Sequence, residues 1–431
     1  MPGAEAVAFV VGRLLDQLDP EHGGFGRAAK FPRPVALDLV LAHGEGARLR
    51  PTLDALADGA VHDPVGGGFH RYATDRAWAA PHFEKTTDDN AWLVSTWFDA
   101  ASALSEPRYA ELARETLRSL DQMAVPGGGY GVGLDADSLD PSGLRVEGAF
   151  YTWTAGELAA VIGPDAAGPL GVGAEGRWAL RRAGPIEPGW WPALAAARSS
   201  RARPALDDLW VVGTNARVVS ALVRAARAGD AAALGRAVSL AERLGEVGLR
   251  PDGRLRHAAG SDAPALLDDQ AAVLAAALDL FAATLDPRWY DAALQRAAAI
   301  EEDYADPTGG WFRTAEGHDP PWLRPKDDVE PSGASGTSVA LTSSLRLYAL
   351  TSDPGALDRA DRALMAYANA VSPAMPGIAL GLARRHAPGA VVVVGGPDGG
   401  GADELLAELG GFAPGREILA GPASAITRAS R

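Results

Sequence analysis

The chain has 431 residues and carries 40 Lys and Arg against 55 Asp and Glu, a formal net charge of −15. Apolar residues make up 47% and cysteine is absent, which predicts a large core and excludes disulfides, thiolate metal ligands and cysteine nucleophiles. The acidic balance argues against nucleic acids and anionic membranes as partners. No apolar run approaches the ~20 residues that span a bilayer. Glu5 is atypical of a signal peptide, so the sequence favours a cytoplasmic protein.

Apolar residues recur at helical spacing in several segments. In chain order, the predicted helices lie at 88–105, 214–228, 231–248 and 267–285, and one more begins near Ser335. Strand patterns are rare, and the clearest is the valine run Ala390 to Gly395. A segment rich in Gly, Pro and Arg at 163–208 is interpreted as a long connection.

Short glycine-rich turns also recur along the chain. They lie at 23–26, 66–69, 127–130, 252–255 and 309–312. A period of roughly 50–60 residues suits one helical hairpin plus its loop, and the long gap before 252 is interpreted as two repeats with one turn eroded. About six hairpins stacked in a ring would bury their apolar faces, so we expect an all-α, closed α/α toroid at 1–385. Residues 386–431 are expected to form a small strand–helix extension, with a helix at about 402–410 and a frayed tail from Ser424.

The segment 62–92 is the richest in chemical groups, with three of the eight histidines. His82 and Glu84 are candidates for a base and its partner or acid. The alternative is a structural ion-pair network, made of Arg71, Glu84, Lys85 and Asp88. A metal site of His62, His70 and His82 matches no strong zinc spacing, and we expect no metal.

A second acidic segment holds Asp135 and Asp137, which face the same side of an extended loop. They could serve as acid and base or bind sugar hydroxyls; the alternative is a helix-capping turn. A third pair, Asp268 and Asp269, begins the most regular helix, where capping explains at least one of them. The polar loop that contains Lys326 and Glu330 precedes a later helix, and its alternative reading is a solvated loop.

Six of the eleven tryptophans lie in or beside these segments: Trp78, Trp92, Trp97, Trp153, Trp311 and Trp322. A cup with Trp faces and carboxylates suits a sugar ring; the alternative for each Trp is a place in the core. Together the motifs resemble those of the YyaL-type, spermatogenesis-associated thioredoxin-domain family. The matching stretches are 23–26 with 30–34, 66–72, 81–85, 89–91, 135–138, 147–153, 267–269 and 324–333. The resemblance covers nearly the whole chain and implies an (α/α)6 toroid of the six-hairpin glycosidase type, similar to N-acylglucosamine 2-epimerases. Family members usually begin with a thioredoxin-like domain, and this sequence starts at the toroid.

Two functions follow as hypotheses. The first is a carbohydrate-active enzyme, a sugar epimerase, isomerase or glycoside hydrolase, with acid–base chemistry in the cup. Its expected catalytic residues are His82, Glu84, Asp135 and Asp137. Its expected substrate-binding residues are His70, Arg71, Tyr72, Lys85, Asp89, Asn90, Trp153, Asp268, Asp269, Lys326 and Glu330. The second is a non-catalytic ligand-binding or partner scaffold, with a separate thioredoxin-like protein as one possible partner. No cofactor is expected, because phosphate-loop and dinucleotide fingerprints are lacking.

Overall fold

A computed structural model of the chain describes residues 1–318 and 324–387 with their side chains, and the backbone of two later strands. The helices are α1 (Ala4–Asp16), α2 (Pro34–Ala42), α3 (Gly46–Asp58), α4 (Thr87–Leu104), α5 (Pro107–Ser119), α6 (Ala155–Ile162), α7 (Trp190–Arg198), α8 (Val212–Arg227), α9 (Ala231–Val247), α10 (Leu267–Thr284), α11 (Pro287–Tyr304), α12 (Gly336–Thr351), α13 (Pro354–Ala366) and α14 (Pro376–His386). The five helices predicted from periodicity are all present.

Twelve of these helices form a closed double ring. The inner helices α2, α4, α8, α10, α12 and α14 each pack on the next, and α14 packs on α2, which closes the circle. The outer helices α1, α3, α5, α9, α11 and α13 each precede an inner helix and cover the ring from outside. The expected all-α (α/α)6 toroid is therefore confirmed. One continuous apolar core runs around the ring between the two layers.

The two ends of the toroid differ because the two kinds of connection differ. Three inner helices end at a residue with positive φ, Ser105, Leu285 or Ser352, and an acidic residue and a proline then start the outer helix. The end of the toroid at which the inner helices finish therefore carries only short turns. The connections from outer to inner helices are long and contain the five glycine-rich turns, so functional loops gather at the N-terminal ends of the inner helices.

The long gap between the third and fourth glycine turns has a different origin from the one expected. It holds a single hairpin of the ring, α8 and α9, plus an excursion at 135–205 that includes α6 and α7. The excursion leaves and returns at adjacent strands, and it has its own apolar cluster around Trp153, Leu158 and Leu194. The prediction of two repeats with an eroded turn was therefore wrong. The hairpin whose turn lacks glycine is the sixth, at 367–375.

Short strands brace the loops at this end. They are β1 (Tyr72–Ala73), β2 (Pro81–His82), β3 (Lys85–Thr86), β4 (Gly133–Leu134), β5 (Asp137–Leu139), β6 (Arg145–Glu147), β7 (Leu206–Asp207), β8 (Ala390–Gly395) and β9 (Glu417–Pro422). β1 pairs with β2, β4 lies between β3 and β7, and β5 pairs with β6, all antiparallel. β8, the predicted valine strand, pairs in parallel with β9. The helix expected at about 402–410 and the tail from Ser424 lie outside the described residues, and the separate extension stays a prediction.

Candidate functional site

The candidate site lies where the inner helices begin. We call it the mouth and define it by Asp88, Asp89, Trp92, Arg217, Asp268 and Ser332. The Asp88 carboxylate lies 3.2 Å from the Arg217 guanidinium, which in turn lies 5.7 Å from the centre of the Trp92 ring. Two acids from the first turn of α4 and one from the first turn of α10 lie in this region, and Asp88 is the one that pairs with Arg217.

The Asp89 and Asp268 carboxylates are only partly occupied by other groups. Asp89 accepts hydrogen bonds from the hydroxyls of Ser332 and of Thr86, the latter at 2.7 Å. Asp268 accepts the Gly336 N–H through Oδ1 at 3.2 Å, whereas its buried Oδ2 has no hydrogen-bond partner. A buried carboxylate oxygen without a partner is costly. We call Oδ2 of Asp268 the open acceptor of the mouth, because it accepts no hydrogen bond from the described residues, although surrounding atoms cover it.

The electrostatics of the mouth raise the pKa of Asp88. Burial raises it above its ordinary value, the neighbouring carboxylates of Asp89 and Asp268 raise it further, and the Arg217 guanidinium opposes them. Clustered carboxylates in one site share their protons unequally. Asp88 therefore takes up a proton more readily than an ordinary aspartate.

The loop before α12 lies directly over the indole of the mouth. A Cβ atom at Gly333 would lie 2.2 Å from Nε1 of Trp92, so only glycine fits there without a shift. Trp92 Nε1 is buried and has no hydrogen-bond partner. The loop therefore closes on one edge of the indole, and Ser332 ties the same loop to α4.

A second cluster forms the rim above the mouth. His82 Nδ1 lies 2.8 Å from Glu147 on β6, and its Nε2 lies 3.8 Å from Glu84. The Tyr72 ring stacks on His82 with 5.0 Å between centroids. In the extended segment 82–86, successive side chains point to opposite faces, so His82, Glu84 and Thr86 share one face. Thr86 contacts Asp89 of the mouth. The predicted pair thus meets, with Glu147 as an unpredicted third member.

The structure brings the two predicted catalytic segments together at this rim. Asp137 is the register partner of Glu147 across the β5–β6 pair, so their side chains share a face. Arg145 binds both acids of the second segment, with Asp137 at 3.1 Å and with Asp135. That arginine offsets one of the two negative charges, and the rim acts as one ionic network that includes the Arg71–Glu84 pair at 3.0 Å.

Several residues expected to bind substrate instead hold the loops in place. The amide of Asn90 is buried, accepts the Phe69 N–H at 2.7 Å and donates to the Phe69 carbonyl at 3.0 Å and the Thr86 carbonyl at 2.8 Å. Asn215 binds Tyr130 of the next glycine turn in the same way: its amide accepts the Tyr130 N–H and donates to the Tyr130 carbonyl, each at 2.9 Å. All hydrogen-bonding groups of Asn90 are thus engaged, and it stabilises a turn.

The lysines of the motifs form a similar repeated clamp. Lys85 is buried and bonds the Asp63 carboxylate and the Gly67 carbonyl, both at 2.7 Å. Lys326 repeats this with Asp306 at 2.6 Å and the Gly309 carbonyl at 2.8 Å. A third copy joins Lys30 to Asp19 and the Gly23 carbonyl in the first hairpin. The expected contact of Lys85 and Lys326 with substrate is replaced by a contact with a glycine turn.

Four more expected binding residues lie inside the fold. His70 is buried between Phe83 and Tyr151, and burial lowers its pKa to about 3, so it stays neutral. Trp153 is in the core of the 135–205 excursion. The remaining two are caps. Asp269 accepts the N–H groups of Gly213 and Leu266, and Glu330 accepts those of Ser335 and Gly377.

Sequence reasoning missed the main roles of Asp88, Trp92, Arg217 and Glu147. The available signal was position, because Asp88 and Trp92 begin a predicted inner helix. The three histidines considered for a metal contact different partners, and in the ranges 1–318 and 324–387 no group of three potential ligands is arranged so that it could hold a metal ion. Within the same ranges no helix is both long and apolar enough to cross a bilayer.

The double ring with its loop-built mouth defines a six-hairpin, glycosidase-like toroid. Among solved structures it is similar to cellobiose 2-epimerase of Bacillus thermoamylovorans (TM-score 0.54, 12% identity, 85% of this chain and 87% of that one). It is equally similar to a GH76 α-mannanase of Bacteroides thetaiotaomicron (TM-score 0.55, 13% identity, 89% and 94%). A third is an inactive variant of an α-1,6-mannanase of Salegentibacter, with two adjacent Asp-to-Asn substitutions, bound to α-1,6-mannotriose (TM-score 0.52, 11% identity, 89% of this chain and 99% of that one). At these identities the likeness shows the fold.

Sequence relatives support the resemblance found in the motifs. Spermatogenesis-associated protein 20 of Mus musculus is 28% identical over 423 residues, which are 80% of this chain and 53% of that protein. The Homo sapiens protein is 28% identical over 434 residues, 82% of this chain and 55% of its own length. The chain thus spans about half the length of these relatives, and no family model matches it. The resemblance to the spermatogenesis-associated, YyaL-type family is confirmed over most of this chain.

Proposed function

We propose that the protein binds a sugar at the mouth and acts on it by acid–base chemistry. The observation that carries the proposal is that Asp88 pairs with Arg217 beside the Trp92 indole, with the carboxylates of Asp89 and Asp268 near Asp88, at the loop-bearing end of the toroid. Sugar hydroxyls need carboxylate and guanidinium partners, and a ring C–H face packs on an aromatic surface. The toroids of known structure that it resembles include an epimerase and mannanases that act on sugars.

Acid–base catalysis requires an acid that can hold a proton near neutral pH. Asp88, with its raised pKa, is the proposed proton donor, and Asp89 or Asp268 is the proposed base or hydroxyl acceptor. The proposed acid–base chemistry therefore takes place at the mouth and not at the rim, where the catalytic residues expected from the sequence lie. His82, Glu84 and Glu147 then form the outer wall of the site and orient the ligand.

Both proposed reactions need the same groups. Epimerisation moves a proton off and onto a carbon next to a carbonyl, which one acid and one base perform. Hydrolysis needs an acid on the leaving oxygen and a carboxylate on the opposite side of the ring. Exchange of a substrate C–H for deuterium in D₂O would show the first, and release of a shorter sugar would show the second.

Ligand binding is the first test. The purified protein is melted with a panel of mono- and oligosaccharides that includes D-mannose, D-glucose, cellobiose and α-1,6-mannotriose. A ligand at 100 times its dissociation constant adds about 2.7 kcal/mol of stability, which is readily seen as a raised melting temperature. Asp268→Ala should abolish the ligand-induced shift, because it removes the open acceptor of the mouth.

Two further variants separate binding from chemistry. Asp88→Asn should keep the ligand-induced shift and lose turnover, because the amide has the shape of the protonated acid but no proton to transfer. Asp358→Ala is the matched control, since it removes an exposed carboxylate that pairs with Arg362 on the outer helix α13. A shift that survives in Asp268→Ala, or the absence of any shift in the unchanged protein, would contradict the proposed function.

A scaffold function is the second candidate. The tip of the β5–β6 hairpin exposes three apolar side chains, Leu139 at 52%, Leu144 at 65% and Val146 at 40%. Clustered exposed apolar groups are typical of interaction surfaces. Binding of a sugar without any turnover, together with retention of a thioredoxin-like protein from a panel of purified candidates, would favour this second function.

A further inference from the structure

A groove lies between a loop of the ring and the excursion. One wall is formed by residues of the loop 75–83 before α4, and the other by residues of the ranges 140–152 and 177–179 in the excursion. The volume enclosed between them is about 670 Å³. We call this groove the side groove. It shares Glu147 with the rim and contains none of the residues that define the mouth, so its ligand does not need the proposed sugar site.

The wall of the side groove is mostly apolar and includes exposed side chains. Trp178 is 43% exposed, and its Nε1 donates to the Glu175 carbonyl at 2.7 Å. A Cβ atom at Gly173 would lie 2.8 Å from the Trp178 ring, so the indole rests on a glycine and is held in place. Val146 on β6 is a second exposed apolar side chain in the same wall. Exposed apolar groups gathered in one groove are typical of a protein interaction site.

The backbone of the segment 177–179 provides an open edge. Trp178 exchanges two backbone hydrogen bonds with Trp153, each at 2.9 Å. In an antiparallel pair of this kind, the backbone groups of the two flanking residues point away from the partner. The Ala179 N–H and the carbonyls of Arg177 and Ala179 make no backbone hydrogen bond to any residue of 1–318 or 324–387. Both residues line the side groove, so an extended peptide in the groove can pair with them.

The charges of the side groove favour a basic ligand. Among the described lining residues, the carboxylates are those of Asp75, Asp140 and Glu147, and the guanidinium is that of Arg177. Arg177 lies 3.1 Å from the Glu157 carboxylate, so its positive charge is already matched. A protonated His82 would offset Glu147, and two carboxylates would still remain. The excess of negative charge attracts lysine and arginine side chains.

We propose that the side groove binds an extended segment of a partner protein that carries both apolar and basic residues. The backbone of this segment pairs with the open edge at 177–179, its apolar side chains pack on Trp178 and Val146, and its basic side chains lie near Asp75 and Asp140. This binding is independent of sugar binding at the mouth, and it gives the scaffold function considered above a specific partner chemistry.

Three synthetic peptides test the chemistry of the ligand on the full chain. The first is fluorescein-labelled GKVKVKG, which is basic and apolar and has high strand propensity. The second has glutamate in place of every lysine. The third is a copy of the first with its backbone amides N-methylated, so that it keeps the side chains and loses the N–H donors. Binding is measured by fluorescence anisotropy at low and at high salt.

Three variants test the place of binding. Trp178→Ser and Val146→Ser each remove part of the apolar wall. Asp140→Asn removes a charge and keeps the side-chain oxygen that accepts the N–H groups of the hairpin turn. Val329→Ser is the matched control, because Val329 is also exposed and does not line the side groove. Circular dichroism checks that each variant is folded.

We expect the basic peptide to bind and the acidic and N-methylated peptides not to bind. Trp178→Ser and Val146→Ser should each weaken binding about tenfold or more, as loss of a central apolar contact does. Asp140→Asn should weaken binding less and reduce its salt dependence, and Val329→Ser should leave it unchanged.

Other results would overturn the inference. These are no binding of the basic peptide, equal binding of the acidic or the N-methylated peptide, or affinities within twofold of the unchanged protein when both serine variants are folded. None of these results bears on sugar binding, which the melting experiment with saccharides reports separately.

Discussion

The Asn90 clamp makes a quantitative prediction that separates a structural role from a ligand-binding role. Asn90→Ala removes three hydrogen bonds and leaves the Phe69 N–H and carbonyl without the partners that the amide supplied. Each net hydrogen bond is worth about 1 kcal/mol, and each buried group left unpaired costs about 1–3 kcal/mol. We expect the free energy of unfolding to fall by about 3–5 kcal/mol, at the upper end for single substitutions.

The assay is urea denaturation followed by tryptophan fluorescence. Trp97 is a local probe, because its ring stacks on Phe69 with 5.7 Å between centroids. Asn215→Ala is the matched variant, since that side chain makes the same bonds to Tyr130 in the next hairpin and should lose a similar amount. Asn369→Ala, in an exposed turn, should change stability by no more than about 0.5 kcal/mol.

One pattern of stabilities would refute the structural role of Asn90. If Asn90→Ala costs less than about 1 kcal/mol while Asn215→Ala costs several, the two amides are not equivalent clamps. If that mild variant also loses sugar binding, then Asn90 contacts ligand, as the sequence first suggested.

Two further predictions concern charged pairs. Lys85→Met should destabilise the fold by about 1–3 kcal/mol, because it leaves the buried Gly67 carbonyl without its donor, whereas Arg198 still pairs with both oxygens of Asp63. Lys326→Met should cost less, because that lysine is 28% exposed, and urea midpoints compare them. The hydrogen bond to Asp269 raises the pKa of His257 above its ordinary 6.5, so the pair stabilises the fold fully below pH 6.5 and loses this contribution as pH rises through the raised folded-state pKa. Melting temperatures of the unchanged protein and of His257→Gln should therefore differ most in acid and converge in alkali, and a difference independent of pH would contradict the assignment.

The ring architecture was predictable because it depends on local patterns in the sequence. Helical periodicity located the inner helices α4, α8, α10 and α12, and the spacing of glycine turns indicated hairpins of regular length. The excursion at 135–205 was not recognised, since a gap of two repeats and a gap with one insertion look alike in spacing. Only the pairing of β4 with β7 shows that the chain leaves the ring and returns to it.

The site was less predictable because motif residues serve two purposes. Asn90, Lys85 and Lys326 have the chemistry of ligand contacts, yet burial and partners assign them to turns. Which member of a pair such as Asp88 and Asp89 meets Arg217 depends on the rotation of α4 against α8. That rotation is a property of the assembled ring. The same is true of the cavity of about 320 Å³ inside the ring, because Asp38 and residues of all six inner helices line it.

The closure of the ring has a consequence for chain connectivity. α1 packs on α14, and the His386 imidazole lies 3.1 Å from the Pro2 carbonyl, so the first and last helices of the ring begin and end side by side. For the ring alone, without β8 and β9, a short linker between these points and new termini at the exposed Gly229 turn between α8 and α9 would give a circular permutant that keeps the helix–helix contacts of the ring. In a structure of this kind the order of the hairpins around the circle determines the fold, and the place where translation starts does not.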